Sequence, residues 1–423
     1  MNETSRAARR LGGFLFGESA GVTMSLMPAP SPPPDLASLR VSPRGAARLK
    51  SGHVWVYRSD VIAADGIAPG SLVAVTTERG KPLGTALYSS SSQIAIRMLS
   101  REAVSDLPAL IRQRIADAFA YREEIVRDSN ACRLVFSEAD FLPGLIVDRY
   151  DDILTLQILT QAMDANPMRE TVISELSQRA NPAGIVDRVD SRVRELESLP
   201  ARASELVHGS RVSTTFAMNR VQFHFDALEG QKTGSFLDQR ENYAAAAQYA
   251  HGKALDIFCY QGGFALHIAP RCSQVTGVDS SRPALEMADR NAALNGRDIE
   301  WIEANAFDLL KDYAASERRY DTVVLDPPAF AKTRRDLDSA LRGYKELNLR
   351  ALKMLRPGGW LVTCSCSYHV NQAAFLEMLA SAAIDAHRTL RVVEIRGQAK
   401  DHPVLLNVPE TAYLKCVIAY ISI

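Results

Sequence analysis

The chain of 423 residues carries only six cysteines, and their spacing follows no disulfide framework. This scarcity indicates a reducing compartment, and a cytoplasmic location is expected. No apolar run reaches the ~18 residues that a membrane-spanning helix needs, so no membrane partner is predicted. An excess of one charge is also missing, because 49 Lys and Arg residues balance 49 Asp and Glu residues. Overall neutrality is weak evidence against nucleic-acid binding, since local positive potential decides that property.

Residues 1–37 lack any pattern that indicates a function. Met1 to Ala29 contain no apolar stretch long enough for the core of a signal peptide, and Pro28 to Pro34 is a proline-rich tract typical of a flexible linker. Met24 and Met27 raise the chance that the natural start lies downstream. We expect a flexible N-terminal extension and assign it no function.

A missing glycine shapes the interpretation of the most informative segment. Ala254 to Phe258 predicts a strand buried on both faces, and Gly262-Gly263 lets the backbone approach a ligand where the next helix begins. The third glycine of the dinucleotide fingerprint Gly-x-Gly-x-x-Gly is absent, which argues against a bound pyrophosphate. A second strand ends in Asp279, which is placed to accept hydrogen bonds from ribose hydroxyls. The segment predicts the opening βαβ unit of a doubly wound α/β sheet.

An acid inside the first of these strands favours S-adenosylmethionine as the ligand. Carboxylates such as Asp256 suit its ammonium and sulfonium charges, and it has no phosphate that would need a glycine cradle. The Asn and Asp of the segment Asn305-Ala306-Phe307-Asp308, after the third strand, are expected to recognise the adenine amino group. An N-cap role for Asp308 is an equal alternative, and the glycine pair alone is compatible with other α/β proteins.

Two prolines end a later buried strand. Thr322 to Leu325 is followed by Asp326-Pro-Pro-Ala-Phe330, and prolines continue neither a strand ladder nor a helix interior. The chain must turn out over the strand ends, which predicts an exposed carboxylate at Asp326 and an exposed ring at Phe330 in the ligand crevice. The turn is similar to the fourth motif of nucleic-acid methyltransferases, which grips an extruded base. A plain loop is the alternative.

A cysteine pair follows the next predicted strand, Leu361 to Thr363, after an Arg-Pro-Gly-Gly stop. Carbon 5 of cytosine needs activation before it accepts a methyl group, and a thiolate that adds to carbon 6 provides it. Cys364 and Cys366 are the candidates, because a cysteine at this strand end faces the same crevice as Asp326. A buried structural cysteine, a Cys-x-Cys-x-x-His metal site with His369 and a poorly shaped disulfide are the alternatives.

The remaining segments predict smaller domains around this sheet. Short strands with Gly, Pro and Ser punctuation from Leu39 onward predict a small β-barrel. Helical periodicity covers Leu107 to Asp128, and a hairpin with Pro143-Gly144 at its turn follows. Arg391 to Ile395 and Ala412 to Tyr420 predict a terminal antiparallel hairpin. A basic cluster in the barrel is a candidate RNA contact or a solvated face: Arg40, Arg44, Arg48, Lys50 and Arg58.

Six motifs together resemble one known family. They are Gly230 to Arg240, Asp256 to Phe264, Leu325 to Lys332, Gly343 to Asn348, Thr363 to Ser367, and Asp401 to Val404. Over residues 38–423 the chain resembles the class I, S-adenosylmethionine-dependent 23S ribosomal RNA cytosine-5 methyltransferases of the bacterial large subunit. That family combines a PUA domain, a linking domain and a Rossmann-like methyltransferase domain.

The resemblance implies a domain plan and a set of roles. We expect a PUA-like RNA-binding domain at 38–105, an α+β linking domain at 106–230 and a methyltransferase domain at 231–423. Cys366 is implied as the nucleophile and Asp326 as the catalytic acid. The implied S-adenosylmethionine contacts are Asp256, Phe258, Tyr260, Gly262, Gly263, Asp279, Asn305, Ala306 and Asp326. The implied substrate contacts are Phe330, Lys332, Arg44 and Lys50. The implied partner is 23S ribosomal RNA, a homodimer is left open, and no metal is expected.

Three acids in the linking segment have the residue types of a metal site or of an acid/base cluster. Within the resemblance Glu138, Asp140 and Asp148 belong to the linking domain, and we expect structural or RNA-contacting roles for them.

One departure from the wider cytosine-5 RNA methyltransferases keeps other chemistry open. Many of them carry Pro-Cys in the fourth motif, and that cysteine assists product release, whereas this chain has Pro328-Ala329. Release must therefore differ, or the modified atom is not carbon 5. Relatives that methylate guanine in ribosomal RNA share Lys-Thr-Gly-x-Phe-Leu-Asp and Asp-Pro-Pro and are the main alternative. A catalytically silent RNA-binding assembly factor is the other.

Overall fold

The computed structural model describes residues 36–229, 235–316 and 318–422. The predicted N-terminal extension up to residue 35 and residues 230–234, which begin the Gly230 to Arg240 motif, lie outside this described part. The described chain forms a six-stranded N-terminal sheet, a five-stranded linking sheet, a two-stranded hairpin and a seven-stranded C-terminal sheet. No helix in the described ranges combines the length and the apolar character that crossing a membrane requires.

The N-terminal sheet has the strand order β2-β6-β5-β4-β1-β3. Its elements are β1 (Ser38–Val41), α1 (Pro43–Lys50), β2 (Trp55–Tyr57), β3 (Val61–Ala63), β4 (Leu72–Thr77), β5 (Pro82–Tyr88) and β6 (Ile94–Ser100). Helix α1 was not predicted from the sequence. It begins at Pro43, and the Ser42 hydroxyl caps it by accepting a hydrogen bond from the Gly45 amide. Three members of the predicted basic cluster, Arg44, Arg48 and Lys50, therefore lie on a helix.

The linking sheet has the order β11-β10-β9-β8-β7 and is followed by the hairpin β12–β13. The elements are α2 (Leu107–Ile125), β7 (Ala131–Phe136), β8 (Leu145–Tyr150), β9 (Ile153–Ile158), α3 (Gln161–Asp164), α4 (Met168–Ala180), β10 (Gly184–Asp187), α5 (Ser191–Leu196), β11 (Glu205–Gly209), β12 (Ser213–Met218) and β13 (Val221–Asp226). The predicted helix from Leu107 and the hairpin around Pro143-Gly144 are confirmed as α2 and β7–β8.

The C-terminal sheet has the order β16-β15-β14-β17-β18-β20-β19. Its strands are β14 (Gly252–Ile257), β15 (Cys272–Asp279), β16 (Glu300–Glu303), β17 (Tyr320–Leu325), β18 (Leu355–Ser365), β19 (Thr389–Arg396) and β20 (Lys415–Ser422). Its helices are α6 (Arg240–Tyr249), α7 (Gly263–Ile268), α8 (Arg282–Leu294), α9 (Ala306–Ala315), α10 (Leu337–Met354) and α11 (Gln372–Asp385).

The order of these strands creates a crevice at one edge. β14 pairs in parallel with β15 on one side and with β17 on the other, so the chain direction of the crossovers reverses between β14 and β17. Ligands of doubly wound sheets bind outside the carboxyl ends of the strands at this switch point. The predicted βαβ unit and the antiparallel terminal pair β19–β20 are both confirmed.

The two faces of the C-terminal sheet bury alternate residues of the same strands. Ala254, Val324 and Cys364 pack on one face against aromatic rings of the hairpin β12–β13. Leu255, Val323 and their neighbours pack on the other face under α10 and α11. This alternation follows the two-residue period of a strand, and it gives the central strands their nearly continuous apolar sequence.

One predicted boundary is wrong. The Arg-Pro-Gly-Gly segment was expected to precede the strand, but β18 begins at Leu355. Leu355 pairs with Tyr320 and Trp360 pairs with Thr322, so the residues between them form an irregularity in the ladder. Gly358 has a φ of 86° there, which a glycine adopts without strain.

The segment between β19 and β20 contacts the N-terminal, linking and C-terminal regions. Nε2 of His53 in the N-terminal region lies within hydrogen-bond distance of Oε2 of Glu410, at 3.2 Å. Buried Asp401 accepts a hydrogen bond from the Arg240 guanidinium of α6 and another from the Arg133 amide of β7. The Arg122 guanidinium of α2 donates to the Asp401 carbonyl. We call residues 397–414 the bridging segment, because its contacts join the N-terminal, linking and C-terminal regions.

Candidate active site

The turn after β14 brings the first predicted motif to the crevice. Asp256 is fully buried within β14, and its Oδ2 accepts a hydrogen bond of 2.9 Å from the Ala265 amide of α7. Phe258 and Tyr260 adopt left-handed φ angles of 66° and 49°, which are uncommon for residues with a side chain. Such strained positions cluster at ligand sites, and this turn lies over the carboxyl end of β14.

The glycine pair serves the packing of this turn. Gly262 has a φ of 86° at the start of α7, a conformation that favours glycine. A Cβ on Gly263 would lie 2.5 Å from Cζ of Tyr243, so the absent side chain makes room for that ring. That the glycine pair lets the backbone approach a ligand stays a prediction, and at Gly263 the structure adds a packing reason for glycine, because Tyr243 fills the space of a Cβ.

Asp279 ends β15 and is tied to the same turn. Its Oδ2 accepts a hydrogen bond of 2.9 Å from the Tyr260 amide, and its Oδ1 accepts one of 2.9 Å from the Ser281 amide. The carboxylate is partly exposed, as the prediction of a ribose contact requires. Each oxygen retains a lone pair that a hydroxyl donor can use.

Asn305 caps α9 at the end of β16. Its Oδ1 accepts hydrogen bonds from the Phe307 and Asp308 amides at 2.9 and 3.4 Å. The N-cap alternative for Asp308 is thereby wrong, because Asn305 holds that position and Asp308 lies three residues into the helix. Ala306 is buried beneath the cap, while Asn305 and Asp308 are exposed. The exposed Asn305 side chain stays available to an adenine ring.

Asp256 has an electrostatic environment that disfavours its charged form. Burial raises its pKa well above the ordinary value, the Ala265 amide opposes that shift, and the carboxylates of Asp326 and Asp279 raise the pKa further. Its Oδ1 is buried and has no hydrogen-bond partner among the described residues. Three carboxylates thus converge on the switch point.

The Asp326 turn lies beside the first motif. Asp326 follows β17, is partly exposed, and accepts on Oδ1 a hydrogen bond of 2.9 Å from the Gln239 side chain. Gln239 is buried and accepts in turn from Asn242 at 2.6 Å. The predicted solvent access of the acid is confirmed in part, because Gln239 orients one of its two oxygens.

Phe330 differs from its predicted exposure. Its ring is half-buried and packs 4.8 Å from the Tyr344 ring and 6.0 Å from the Phe307 ring, measured between centroids. The expected exposed ring is therefore corrected to a half-buried one, since Tyr344 of α10 covers one side of it. Lys332, two residues later, is exposed. Both residues still lie on the loop that follows Asp326.

Cys364 and Cys366 occupy different environments. Cys364 is fully buried inside β18, directly opposite Cys416 of β20, and burial raises its pKa well above the ordinary value. Cys366 lies just beyond the strand, is partly exposed, and places its Sγ 3.9 Å from the Pro327 carbonyl oxygen. Both cysteines lie near Asp326, but only Cys366 presents a partly exposed thiol to the Asp326 turn, since Cys364 is enclosed in the sheet. Within the described residues no cysteine forms a disulfide, and no group of three metal-ligating side chains occurs.

The two predicted basic contacts, Arg44 and Lys50, lie on α1 of the N-terminal region. Arg44 is mostly exposed and donates from Nε to buried Asp60 at 2.7 Å, while Lys50 is exposed. Arg48 lies over the Tyr57 ring at 4.5 Å. Tyr368, two residues after Cys366, has a pKa raised by burial and by the neighbouring Glu410 and Tyr57. The N-terminal sheet therefore borders the loop that carries Cys366.

The acids of the linking region are structural. Glu138 pairs with Arg97, Asp140 with Arg122 and Asp148 with Arg133, and these side chains are buried or nearly so. Each carboxylate is neutralised by an arginine of the same chain, so the expectation of structural roles fits this arrangement.

Comparison with known proteins adds independent information. Residues 39–101 match the model of a PUA-like domain, and residues 142–418 match that of an S-adenosylmethionine-dependent methyltransferase. The chain is 36% identical over 393 residues to ribosomal RNA large subunit methyltransferase I of Shewanella denitrificans, which covers 90% of this chain and 98% of that protein. The identity to the protein of that name from Yersinia pestis is 37% over 375 residues, 86% and 94% of the two chains. The chain belongs to the S-adenosylmethionine-dependent methyltransferases.

Solved structures share the fold of this methyltransferase. A structure of an S-adenosylmethionine-dependent methyltransferase from Streptococcus mutans superposes with a TM-score of 0.77 at 18% identity, over 91% of this chain and 100% of that one. A structure of SMU.776 with the same score and coverage is complexed with SAH. The α/β architecture, with a Rossmann-like sheet and an N-terminal PUA-like domain, is therefore confirmed, as is S-adenosylmethionine as the methyl donor.

The residues of this methyltransferase fit that cofactor. The orphaned Oδ1 of buried Asp256 needs a donor, which an ammonium group supplies. Asp279 is partly exposed with carboxylate lone pairs suited to hydroxyl donors, and Asn305 lies exposed at the start of α9. Phe258 and Tyr260 shape the turn between them.

Two features of the methyltransferase site were not predicted. Gln239 was part of a quoted motif, but nothing local indicated its bond to Asp326, 87 positions away. Lys415 is buried at the start of β20, and its Nζ donates to the Ser367 carbonyl next to Cys366. Both contacts join distant parts of the chain, so only the folded sheet reveals them.

Proposed function

We propose that this methyltransferase transfers a methyl group to carbon 5 of a cytosine in 23S ribosomal RNA through a covalent adduct with Cys366. The single observation that carries the proposal is the position of the Cys366 thiol, beyond β18 and 3.9 Å from the Pro327 carbonyl of the Asp326 turn. The relatives named ribosomal RNA large subunit methyltransferase I support ribosomal RNA as the substrate.

The nucleophile prepares the base for methylation. The Cys366 thiolate adds to carbon 6, which forms an S–C6 bond and makes carbon 5 an enamine carbon. S-adenosylmethionine supplies the methyl group that carbon 5 accepts. Removal of the carbon 5 proton then expels the thiolate and restores the aromatic base. Burial of Cys364 excludes it from this role, since no base can reach a sulfur enclosed in the sheet.

Asp326 holds the base during the attack. The Gln239 side chain donates a hydrogen bond to Oδ1 of Asp326. This contact fixes the side-chain rotamer of Asp326 and therefore also the direction of its Oδ2. A carboxyl group here contacts the Watson–Crick edge of an extruded base and favours protonation of the ring as the sulfur adds. Phe330 and Lys332 flank the same loop and are proposed to contact the nucleotide.

Product release must use a group other than a fourth-motif cysteine. Ala329 occupies that position and offers no acid or base. Methylation of a guanine amino group or ring nitrogen needs no thiol, so it would leave the position of Cys366 without a chemical role.

The decisive experiment uses RNA that carries 5-fluorocytosine at the target. Fluorine cannot leave as a proton does, so elimination stalls and the wild-type enzyme should form an adduct that survives denaturation. Cys366→Ala should abolish adduct and turnover while S-adenosylmethionine still binds. Cys364→Ala is the matched control. This variant should still form the adduct, although the protein should be less stable because a buried side chain is lost.

Two results would redirect the proposal. An active Cys366→Ala enzyme, or no adduct with the fluorinated RNA, would favour guanine methylation; mass spectrometry of ribosomal RNA nucleosides with and without the gene then identifies the product. Failure to bind S-adenosylmethionine at all would favour the silent assembly factor.

RNA affinity is proposed to depend on α1 and its surroundings. Exposed Arg40 and Lys50 are suited to phosphate contacts, which dominate binding and make it salt dependent. Arg40→Ala with Lys50→Ala should weaken RNA binding and reduce the slope of log affinity against log salt by roughly 0.7–0.9 for each phosphate that is no longer neutralised. Cofactor binding should not change. Lys253→Ala is the control, because it removes an exposed lysine at the amino end of β14, outside α1. Equal RNA binding by both variants would remove α1 from the RNA surface.

A further inference from the structure

Lys415 is a buried lysine whose contacts surround the residue proposed as the nucleophile. It begins β20, pairs with Ser365 across the β18–β20 ladder, and is 7% exposed. Its Nζ donates hydrogen bonds of 2.6 Å to the Ser367 carbonyl and 2.8 Å to the Tyr413 carbonyl. Cys366 lies between Ser365 and Ser367, so Lys415 is tied to both sides of it.

The loop that carries Cys366 is held from other directions as well. The Ser367 hydroxyl lies 2.9 Å from the Tyr344 hydroxyl of α10 and accepts a hydrogen bond of 3.1 Å from the Ala331 amide. Ala331 belongs to the loop that follows Asp326. The chain therefore fixes Ser367 against the fourth motif on one side and against β20, through Lys415, on the other.

We propose that Lys415 is a positioning residue for Cys366: its hydrogen bonds hold the loop at the end of β18, and its ammonium charge stabilises the thiolate. The proposal rests on the proposed function of Cys366 as the nucleophile. Burying a lysine ammonium costs free energy unless the charge is paired. A neighbouring lysine lowers the pKa of a thiol, and the thiolate is the nucleophilic form of cysteine.

The charges around Cys366 agree with this role. Burial lowers the pKa of Lys415 to about 8, and Cys366 acts in the opposite direction, so the amine is still mainly protonated at pH 7. Tyr344 of α10 and Tyr413, which precedes β20, also lie near Cys366. Burial raises both phenol pKa values, which keeps these groups neutral. Negative groups near this loop are Asp326 at the end of β17, Asp238, which accepts from the Tyr413 hydroxyl, and Glu410, which lies near Tyr368. Lys415 thus supplies positive charge against them.

The test measures the Cys366 thiol directly, without RNA. Wild-type enzyme is treated with iodoacetamide at a series of pH values, and mass spectrometry follows carbamidomethylation of Cys366; a Cys366→Ala sample reports any reaction of Cys364. Lys415→Met should shift the midpoint of the alkylation profile upward by about one pH unit and slow alkylation at pH 7 about tenfold. Lys415→Arg keeps the charge and should restore most of the rate.

Further variants separate charge from hydrogen bonding and from folding. Lys415→Gln is neutral but can still donate to the two carbonyls, so it should fold and show the same upward shift as Lys415→Met. Lys345→Met removes a partly exposed lysine of α10 that pairs with Asp385 and should leave the profile unchanged. Thermal unfolding and S-adenosylmethionine binding identify variants that are folded. An unchanged alkylation profile in folded Lys415→Gln would overturn the proposal.

Methyl transfer provides a second readout. Lys415→Gln should lower kcat about tenfold at pH 7 without a change in KM for RNA, and the loss should shrink as the pH rises and the thiol ionises. An active Cys366→Ala enzyme would overturn the proposed function and leave the alkylation result standing. A normal fluorocytosine adduct together with an unshifted alkylation profile would overturn only the role of Lys415.

Discussion

Asp256 and Asp401 are two fully buried carboxylates of the same C-terminal domain, and their surroundings are opposite. Burial tends to raise the pKa of Asp401, but His402, Arg240 and the Arg133 amide outweigh it and lower the pKa to about 2. Burial raises the pKa of Asp256 well above the ordinary value, and among the described residues a backbone amide, not a cationic side chain, opposes it. Asp401 is therefore neutralised within the chain, whereas Asp256 has no cationic partner among the described residues, which agrees with the proposed cofactor contact.

The presence or absence of a cationic partner distinguishes buried acids that stabilise the fold from buried acids that serve the site. Asp140 and Asp148 of the linking region resemble Asp401 in that each has an arginine partner. Burial of an ionised group without such a partner costs several kcal/mol, and active sites are where proteins retain that cost. The surroundings of a buried acid thus indicate whether it stabilises the fold or awaits a charged ligand.

The largest expected effect comes from removing the paired acid. Asp401→Ala leaves the Arg240 guanidinium and the Arg133 amide buried without this acceptor, which should destabilise the protein by ~3–5 kcal/mol in urea unfolding. The control is Asp128→Ala at the exposed Arg220 pair, where the change should stay below about 1 kcal/mol. Equal destabilisation in both variants would show that the bridging segment is not held by Asp401.

The second effect concerns the acids of the cofactor site. Asp279→Ala should weaken S-adenosylmethionine binding by ~1.5–3 kcal/mol, or roughly ten- to a hundredfold, because it removes charged acceptors from the ribose. Asp256→Asn retains the contact to the Ala265 amide and should weaken binding without destabilising the ligand-free protein. Isothermal titration calorimetry measures both. Unchanged affinity in Asp279→Ala would remove that residue from the site.

The smallest effect is in the pH dependence of stability, and it has opposite signs for the two acids. Asp401 binds its proton less readily in the folded state, so its contribution is present above about pH 4 and is lost as the pH falls toward 2. Asp256 binds its proton more readily in the folded state. As the pH rises above about 4, the unfolded state loses this proton while the folded state keeps it, so the stability of the protein falls. Asp401→Asn should flatten the acid limb of the stability curve, and Asp256→Asn should raise stability toward neutral pH. Parallel curves for the two variants would contradict the comparison.

The sequence predicted the central strands because both faces of the C-terminal sheet are buried. Ala254 to Phe258 and Thr322 to Leu325 are apolar runs bounded by glycine or proline, and the structure places β14 and β17 there. Because parallel strands end at the same edge of a sheet, the predicted strand ends also predicted that Asp279, Asp326 and Cys366 lie close together.

Other features left no local pattern. Helix α1 is basic and only eight residues long, so its amphipathic pattern is shorter than the roughly 11–18 residues over which helical periodicity is recognised. Phe330 follows two prolines, which predict a turn but not the rings of Tyr344 and Phe307 that cover it. The bonds of Gln239 and Lys415 depend on which strands become neighbours, and that is a property of the whole sheet.

The bridging segment has a consequence for how a target is chosen. Through Glu410 and Asp401 it ties the N-terminal sheet, the linking helix α2 and the crevice to one another. With the RNA contacts proposed for α1, RNA phosphates there would lie at a fixed distance from the Cys366 sulfur. We expect such an enzyme to select its nucleotide by distance along the folded RNA, so that displacing the target by half a helical turn abolishes methylation even when the neighbouring bases are kept.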